Sequence, residues 1–269
     1  MKVALGQFAV SREWTENAAT SLKLMADAQN GGADLLVMPE GILARDIADP
    51  DLVRRAAQPL DGPFVSSLVE ASRGHSLTTM MTVHVPSDLS GRVWNILIAI
   101  RDGQIIGQYR KLHLYDAFSM KESTNVTPGS EVPPLVSVGG LQVGMMTCYD
   151  VRFPELARRL ALDGADVLVL PSAWVKGPLK EWHWEVMVTA RALENTCYMI
   201  AVGECGERNI GQSLVVDPLG VPIARAAETS ALVFADLDPT RIQYARKILP
   251  VLENRCFVCP ELKPAAAAG

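Results

Sequence analysis

The sequence contains no apolar stretch long enough to cross a membrane. A transmembrane helix needs roughly 20 consecutive apolar residues, and no run of this chain approaches that length. Residues 1–7, MKVALGQ, reach a glycine and a polar side chain after a short apolar run, which is too short for the apolar region of a signal peptide. We therefore expect a protein of the cytoplasm with no membrane partner.

Long clusters of basic residues are also missing. The 269 residues include 25 Lys and Arg against 30 Asp and Glu, for a formal net charge of −5, and no run of Lys or Arg exceeds two. Surfaces that bind nucleic acid or anionic membranes carry an excess of positive charge. The composition therefore favours a small-molecule substrate and predicts no nucleic-acid partner.

Cysteine and histidine are scarce and do not group into metal sites. The five cysteines are irregularly spaced in a chain large enough to bury its own core, so we expect reduced thiols rather than disulfides. Cys256 and Cys259 have the Cys-x-x-Cys spacing of redox pairs and half zinc sites, but no second pair accompanies them. A glycine-rich phosphate loop is missing as well. We predict no metal and no cofactor, and two incidental thiols at Cys256 and Cys259.

What the chain does have is an alternation of short Val, Ile and Leu runs with segments of helical period, which is typical of α/β proteins. Asp102 and Gly103, between strands predicted at residues 93–100 and 104–109, indicate a β-hairpin and hence a partly antiparallel sheet. No change of composition marks a linker. We predict one domain over residues 1–257, with two mixed sheets facing each other and helices outside, and a disordered tail over residues 258–269.

Cys148 is the best candidate nucleophile. It follows the apolar, strand-like residues 141–147, and Pro154 then favours the first turn of a helix. A thiol on a strand-to-helix turn projects from the sheet edge, where backbone N–H groups can point at a developing oxyanion. The alternative is a packing role, because cysteine is among the most frequently buried residue types.

Two charged residues at other strand ends strengthen this prediction. Glu40 follows the strand predicted at residues 34–38, and Lys111 follows the strand predicted at residues 104–109. Strand carboxyl ends are where α/β folds usually place their sites. A carboxylate can remove the thiol proton, and an ammonium can stabilise an oxyanion. Taken singly, each would be read as a solvated charge. His113 leaves a Cys–His dyad open as a second way to activate the thiol.

Three blocks of sequence resemble the signatures of the nitrilase, or carbon-nitrogen hydrolase, superfamily. They are residues 38–40 (MPE), 109–116 (YRKLHLYD) and 148–155 (CYDVRFPE). The resemblance implies a four-layer α-β-β-α sandwich that forms a homodimer, and a Glu40–Lys111–Cys148 catalytic triad. It also implies that Glu122 is a second glutamate, which positions Lys111 or the substrate.

The resemblance further implies amide hydrolysis through a thioester, with no metal or cofactor. Glu40 would take the thiol proton, Cys148 would attack the amide carbon, and Lys111 and the Tyr149 backbone N–H would hold the oxyanion. Glu40 would then protonate the leaving ammonia and activate the water that releases the acid.

Other blocks, including residues 6–10 and 173–181, resemble the branch of bacterial deaminated glutathione amidases. The resemblance predicts a carboxylate-bearing amide as the partner, and substrate contacts from a set of pocket residues. These are Arg152, His113, Trp174 and Lys176, with Arg45 and Lys180 as further cationic candidates. Two alternatives remain open: an ω-amidase or N-carbamoyl amidohydrolase with the same triad, and a catalytically silent scaffold or binding protein.

Overall fold

The computed structural model describes residues 1–89 and 91–263. Within them the strands are β1 (Lys2–Gln7), β2 (Leu35–Val37), β3 (Thr78–Pro86), β4 (Val93–Arg101), β5 (Gln104–Arg110), β6 (Val126–Thr127), β7 (Val136–Val138), β8 (Leu141–Met145), β9 (Val167–Ser172), β10 (Tyr198–Gly203), β11 (Leu214–Val216), β12 (Pro222–Arg225) and β13 (Ala231–Asp236). The α-helices are α1 (Trp14–Asn30), α2 (Leu52–Arg55), α3 (Pro63–Ala71), α4 (Pro154–Leu162), α5 (Lys180–Asn195) and α6 (Pro239–Ile248). Two 3-10 helices lie at Glu122–Thr124 and Cys148–Arg152.

The strands form two mixed sheets, as the sequence predicts. One sheet has the order β13-β1-β2-β3-β4-β5, with β6 paired to β4, and the other has the order β12-β11-β10-β9-β8-β7. Neighbours are parallel from β1 to β3 and from β8 to β10, and antiparallel toward the edges. Strand β5 runs in the same direction as β2, because two antiparallel steps separate β3 from β5. The carboxyl ends of β2 and β5 therefore share one edge.

The inner strands of the first sheet, β1 to β4, are buried on both faces, which explains their nearly continuous apolar sequences. In β2, Leu35 and Val37 pack into the core between the sheets, while Leu36 packs against α1 and α3 on the outside. Successive strand side chains point to opposite faces, so a strand covered on both sides must be apolar throughout. The outer face of the second sheet is covered by α4 and α5 in the same way.

The predicted hairpin is confirmed. Strands β4 and β5 pair antiparallel with Arg101 opposite Gln104, and the two residues between them have left-handed φ values of 47° at Asp102 and 72° at Gly103. A two-residue turn with positive φ at both positions matches the right-handed twist of the flanking strands.

Some elements differ from the prediction. The strand expected to end before Pro171 continues through Ser172, because a missing N–H is tolerated near a strand end. The strand expected over residues 141–147 ends at Met145, and a 3-10 helix follows. Elements α2, β6 and β7 are too short for a periodic pattern to reveal them.

The tail prediction, residues 258–269, falls partly outside the described residues, since 264–269 are not among them. Residues 258–263 belong to no helix or strand. No helix in the described part of the chain combines the length and apolar character needed to span a membrane.

Candidate active site

Glu40, Lys111 and Cys148 meet in one cavity of about 460 Å³ at the edge of the facing sheets. Each comes directly after a strand or its turn: Glu40 after β2, Lys111 after β5 and Cys148 after β8. Parallel alignment of β2 with β5 brings the first two to the same sheet edge, and the second sheet supplies the third. The three candidates from the sequence are therefore brought together by the fold.

Lys111 is a buried ammonium held between two carboxylates. Its Nζ lies 2.8 Å from Glu40 Oε1 and 2.9 Å from Glu122 Oε2, and its side chain is only 2% exposed. Burial alone would lower the pKa of Lys111, but the charges of Glu122 and Glu40 outweigh it and raise the pKa well above its usual value. Lys111 therefore stays positively charged while it donates hydrogen bonds.

Glu40 is fixed by donors on both of its oxygens. Besides Lys111, Asn95 Nδ2 donates to Oε1 at 2.9 Å, and the backbone N–H of Ala173 donates to Oε2 at 3.0 Å. Burial acts to raise the pKa of Glu40, but the positive charges of Lys111 and Arg45 dominate and hold it well below its usual range. Glu40 is therefore an ionised acceptor in the resting site.

Cys148 occupies a strained position at the start of its 3-10 helix. Its φ is 44°, in the left-handed region that non-glycine residues adopt at a cost of about 1–3 kcal/mol. Burial and the negative charge of Glu40 raise the pKa of the thiol, and Lys111 opposes this only in part. The resting group is therefore a neutral thiol. Within the described residues, no group accepts a hydrogen bond from the next amide, the Tyr149 N–H.

Asp150, which was not among the residues predicted from the sequence, holds this turn in place. The carboxylate is fully buried; Oδ2 accepts from the Tyr109 hydroxyl and from the Thr147 N–H, each at 2.8 Å. Oδ1 lies 2.8 Å from His113 Nδ1. The feature of the sequence that could have pointed to Asp150 is its position two residues after Cys148. The carboxylate fastens the Cys148 turn to β5, the strand that ends at Arg110, next to Lys111.

His113, the alternative partner for the thiol, makes its contacts with residues other than Cys148. Besides its contact with Asp150, its ring stacks on Phe153 with centroids 3.8 Å apart, and among the described residues it is not part of the cavity lining. The geometry gives a Cys–His dyad no support. Lys176 also lies outside the cavity lining, and its Nζ donates to the Gly206 carbonyl at 2.9 Å.

The other predicted cationic and aromatic residues do line the cavity. Arg152, Trp174 and Lys180 lie along one wall, and the Trp174 indole N–H donates to the Lys180 carbonyl at 2.9 Å. Arg45 lies on another part of the wall, where Nη1 is 2.5 Å from the buried Glu204. The Arg45–Glu204 pair joins residues 159 positions apart, a contact that no local pattern reveals.

His84 is a further cavity residue, and it was not predicted from the sequence. It is 4% exposed, its Nδ1 has no partner among the described residues, and it stands opposite Asn95 across β3 and β4. Burial is the main cause that lowers the pKa of His84 to about 4, and Arg45 and Lys111 add to it, against the opposing charge of Glu40. The imidazole is therefore neutral near pH 7.

This depressed pKa predicts acid sensitivity of the fold. Between pH 6.5 and pH 4 the unfolded chain binds a proton at His84 that the folded chain excludes, so the free energy of unfolding should fall as pH decreases. His84 should contribute roughly 3 kcal/mol to that fall. Urea unfolding at several pH values measures it. In a plot of the free energy of unfolding against pH, a His84→Gln variant should lose this contribution to the slope, and a His75→Gln control should keep it. Equal slopes in all three proteins would contradict the assignment.

All five cysteines have free thiols, and Cys256 is exposed. In the described ranges, no group of three or more His, Cys, Asp or Glu side chains is suited to hold a metal ion.

Comparison with known proteins identifies the family. The sequence model of the carbon-nitrogen hydrolase family matches residues 2–247. A protein of Escherichia coli O157:H7 named deaminated glutathione amidase is 53% identical over 262 residues, covering 97% of this chain and all of that protein. The Bos taurus protein of the same name is 33% identical, covering 94% of this chain and 81% of its own length.

Among solved structures, Saccharomyces cerevisiae Nit3, a member of branch 10 of the nitrilase superfamily, superposes with a TM-score of 0.83 at 26% identity, covering 96% of this chain and 97% of Nit3. The expected α-β-β-α sandwich and the resemblance drawn from the sequence motifs are both confirmed. The chain belongs to the carbon-nitrogen hydrolase family of the nitrilase superfamily and is an enzyme of that class.

Proposed function

We propose that this enzyme hydrolyses the amide of deaminated glutathione, or of a similar 2-oxo acid, through a thioester on Cys148. The main support for this chemistry is the position of Lys111. Its ammonium lies between Glu40 and Glu122, in the cavity that the Cys148 thiol also lines. The choice of substrate is supported by the relatives named for it, one of them 53% identical to this chain.

The first step follows from the opposite protonation tendencies of Glu40 and Cys148. The carboxylate is ionised and the thiol is neutral, because the pKa of Glu40 is held low and that of Cys148 is raised. A free thiolate is therefore disfavoured, and the proton moves to Glu40 as the Cys148 sulfur bonds to the amide carbon. The carbonyl π electrons then move onto oxygen, and the Lys111 ammonium and the Tyr149 N–H stabilise that negative charge.

In the second step the carbon–nitrogen bond breaks and Glu40 gives its proton to the leaving nitrogen. Ammonia, the leaving group expected from the sequence, is released only when the substrate is a primary amide. Deaminated glutathione joins its 2-oxo acid to cysteinylglycine, so the leaving group from this substrate is the dipeptide amine. Glu40 then accepts a proton from the attacking water as the water oxygen bonds to the thioester carbon. The carbon–sulfur bond breaks, Glu40 returns that proton to the Cys148 sulfur, and the acid leaves.

The remaining roles are proposed in the same way. Glu122 holds Lys111 in position through two hydrogen bonds of 2.9 and 3.1 Å. Arg152 and Trp174, which line the cavity, contact the substrate. The substrate contacts predicted for His113 and Lys176 stay predictions, since both lie outside the lining.

Turnover of the intact enzyme tests this proposal. Purified protein should release 2-oxoglutarate and cysteinylglycine from deaminated glutathione in equal amounts, with kcat/KM at least comparable to that for 2-oxoglutaramate. A large preference for 2-oxoglutaramate would contradict the substrate, and no hydrolysis of either would contradict the proposed activity.

We also propose that residues 1–257 act as one domain and that the enzyme works as a cytoplasmic homodimer. The free thiols support a reducing compartment. Helix α5 leaves Trp182, Val186 and Leu193 exposed on one side, an apolar face of the kind that protein interfaces cover. A solution mass of about twice the 29.1 kDa of one chain is expected from light scattering, and a monomeric mass would contradict the dimer.

A further inference from the structure

Arg45 and Glu204 form a buried ion pair that none of the proposed steps uses. Arg45 Nη1 lies 2.5 Å from Glu204 Oε2, and the two side chains are 16% and 7% exposed. Burial raises the pKa of Glu204, and the charge of Arg45 opposes that rise. The other carboxylate oxygen of Glu204 accepts from the Val10 N–H at 3.4 Å. The cost of removing two charges from water offsets much of their attraction. Stability alone therefore does not account for the pair.

The pair lies directly beside Glu40. The backbone N–H groups of Glu40 and Glu204 both donate to the Ser172 carbonyl, at 3.5 and 2.8 Å, so both residues are held at the end of β9. The Arg45 stem packs against the residue after Glu40, since a Cβ on Gly41 would lie 3.1 Å from Arg45 Cδ. Arg45 and Glu40 also line the same cavity. Glu40 therefore has a cation on this flank as well.

Positive and negative side chains alternate across the site. In order they are Glu122, Lys111, Glu40, Arg45 and Glu204. Glu40 stands in the middle, and each cation beside it has a further carboxylate of its own. When Glu40 accepts the thiol proton it becomes neutral, and a cation with no other partner would then be buried without a counter-charge, which is costly. Lys111 keeps Glu122 as its partner in that state. Arg45 keeps Glu204 in the same way.

We infer that the Arg45–Glu204 pair balances the charge of Glu40 through the reaction. Arg45 stabilises the ionised form of Glu40, and Glu204 limits that stabilisation, so that Glu40 can still accept a proton. Arg45 and Glu204 are positioning residues, because they act on the substrate only through Glu40. This role differs from the substrate contact that the sequence predicted for Arg45. The inference rests on the proposed function and deepens it.

The groups that face Glu40 support this division of roles. Its titratable and charged neighbours are Lys111, Glu122, Cys148, His84, Arg45 and Glu204. Burial acts to raise the pKa of Glu40, and the charges of Lys111 and Arg45 lower it. The Cys148 thiol and the His84 imidazole are neutral in the resting enzyme. The balance of charge around Glu40 therefore depends on the ion pairs.

The two members of the pair should have opposite effects when removed. In Arg45→Met, Glu40 loses a cation and is protonated at higher pH, so the acid limb of the kcat/KM profile should move up by roughly one pH unit. In Glu204→Gln, Arg45 acts on Glu40 unopposed and makes it a weaker base. Its kcat should fall about three- to tenfold, with KM changed less than about twofold.

Alkylation of Cys148 by iodoacetamide tests the same charges without a substrate. The charge of Arg45 also favours the Cys148 thiolate, though less strongly than it favours ionised Glu40. At about pH 8, Glu204→Gln should therefore react faster at Cys148 than the unaltered enzyme, and Arg45→Met should react more slowly, each by roughly two- to fivefold. Peptide mapping separates Cys148 from the exposed Cys256.

Three further variants serve as controls. Arg45→Lys keeps a cation beside Glu40 and should restore most of both effects. The double variant Arg45→Met with Glu204→Gln leaves neither member of the pair unpaired, so its kcat should exceed that of Glu204→Gln alone. Arg12→Met removes an exposed cation that pairs with Asp46, the residue next to Arg45, and should match the unaltered enzyme.

A role in the fold alone would give a different pattern. Arg45→Met and Glu204→Gln would then change the alkylation rate in the same direction, and the double variant would be no faster than Glu204→Gln. Either result overturns the inference. Should Arg45→Met fail to fold, Glu204→Gln decides it, because faster alkylation together with slower hydrolysis is expected only from the change of charge. Hydrolysis of neither 2-oxo acid amide by the unaltered enzyme would overturn the proposed function, while the alkylation rates would still test the pair.

Discussion

Replacing Cys148 with alanine is expected to reduce hydrolysis of deaminated glutathione by roughly 10⁴-fold or more, because the covalent route through the thioester is lost. The fold should persist, since the change removes one sulfur from a residue that is 8% exposed at the cavity surface. Initial-rate assays measure the first effect, and circular dichroism with thermal unfolding measures the second.

Two control variants make this result specific. Cys256→Ala removes an exposed thiol that is not part of the cavity lining and should keep full activity. His113→Ala should keep a measurable rate, because His113 contacts Asp150 and Phe153 rather than the thiol. Loss of all activity in His113→Ala with the fold intact would revive the Cys–His dyad, and an unchanged rate in Cys148→Ala would refute the assigned nucleophile.

Replacing Lys111 with methionine should affect both rate and stability. The oxyanion loses its ammonium, which lowers kcat by roughly 10²- to 10³-fold or more. Glu40 and Glu122 are left in a buried site without the charge between them, and breaking a buried ion pair costs about 3–5 kcal/mol. Urea unfolding and single-turnover rates measure the two effects separately.

The double variant Lys111→Met with Glu122→Gln provides the control. Glu122→Gln removes one of the two carboxylates that Lys111→Met leaves without a partner. The double variant should therefore regain part of the lost free energy of unfolding, while its rate stays low. If the double variant were no more stable than Lys111→Met alone, the ion pair recorded between Lys111 and Glu122 would not be energetically significant.

The sequence predicted the parts of the site that depend on local signals. Pro39 ends β2 and places Glu40 at the sheet edge, and the apolar run before Cys148 stops where the chain turns toward Pro154. Periodic apolar patterns predicted the long strands and helices, because these patterns are local as well. Each of these signals lies within a few residues of the feature it predicts.

The partners that tune the site could not be predicted in this way. Asn95 is one polar residue inside an apolar strand, and only the folded sheet places its amide on Glu40. Lys180 looks like a solvated charge in the sequence, yet it is 6% exposed beside Arg152. Glu204 reaches Arg45 across the two sheets. Such contacts form between strand ends that are far apart in the sequence and meet only in the folded protein. The spacing of residues in one sequence does not predict them.

The most direct measurement is mass spectrometry of the enzyme quenched in acid within milliseconds of mixing with deaminated glutathione, followed by peptide mapping. We expect a 2-oxoglutaryl group on the peptide that contains Cys148, formed during turnover and lost as substrate is exhausted. The same peptide from Cys148→Ala should carry no adduct. An acyl group mapped to any other residue, or turnover with no acyl-enzyme at any time point, would contradict a thioester on Cys148.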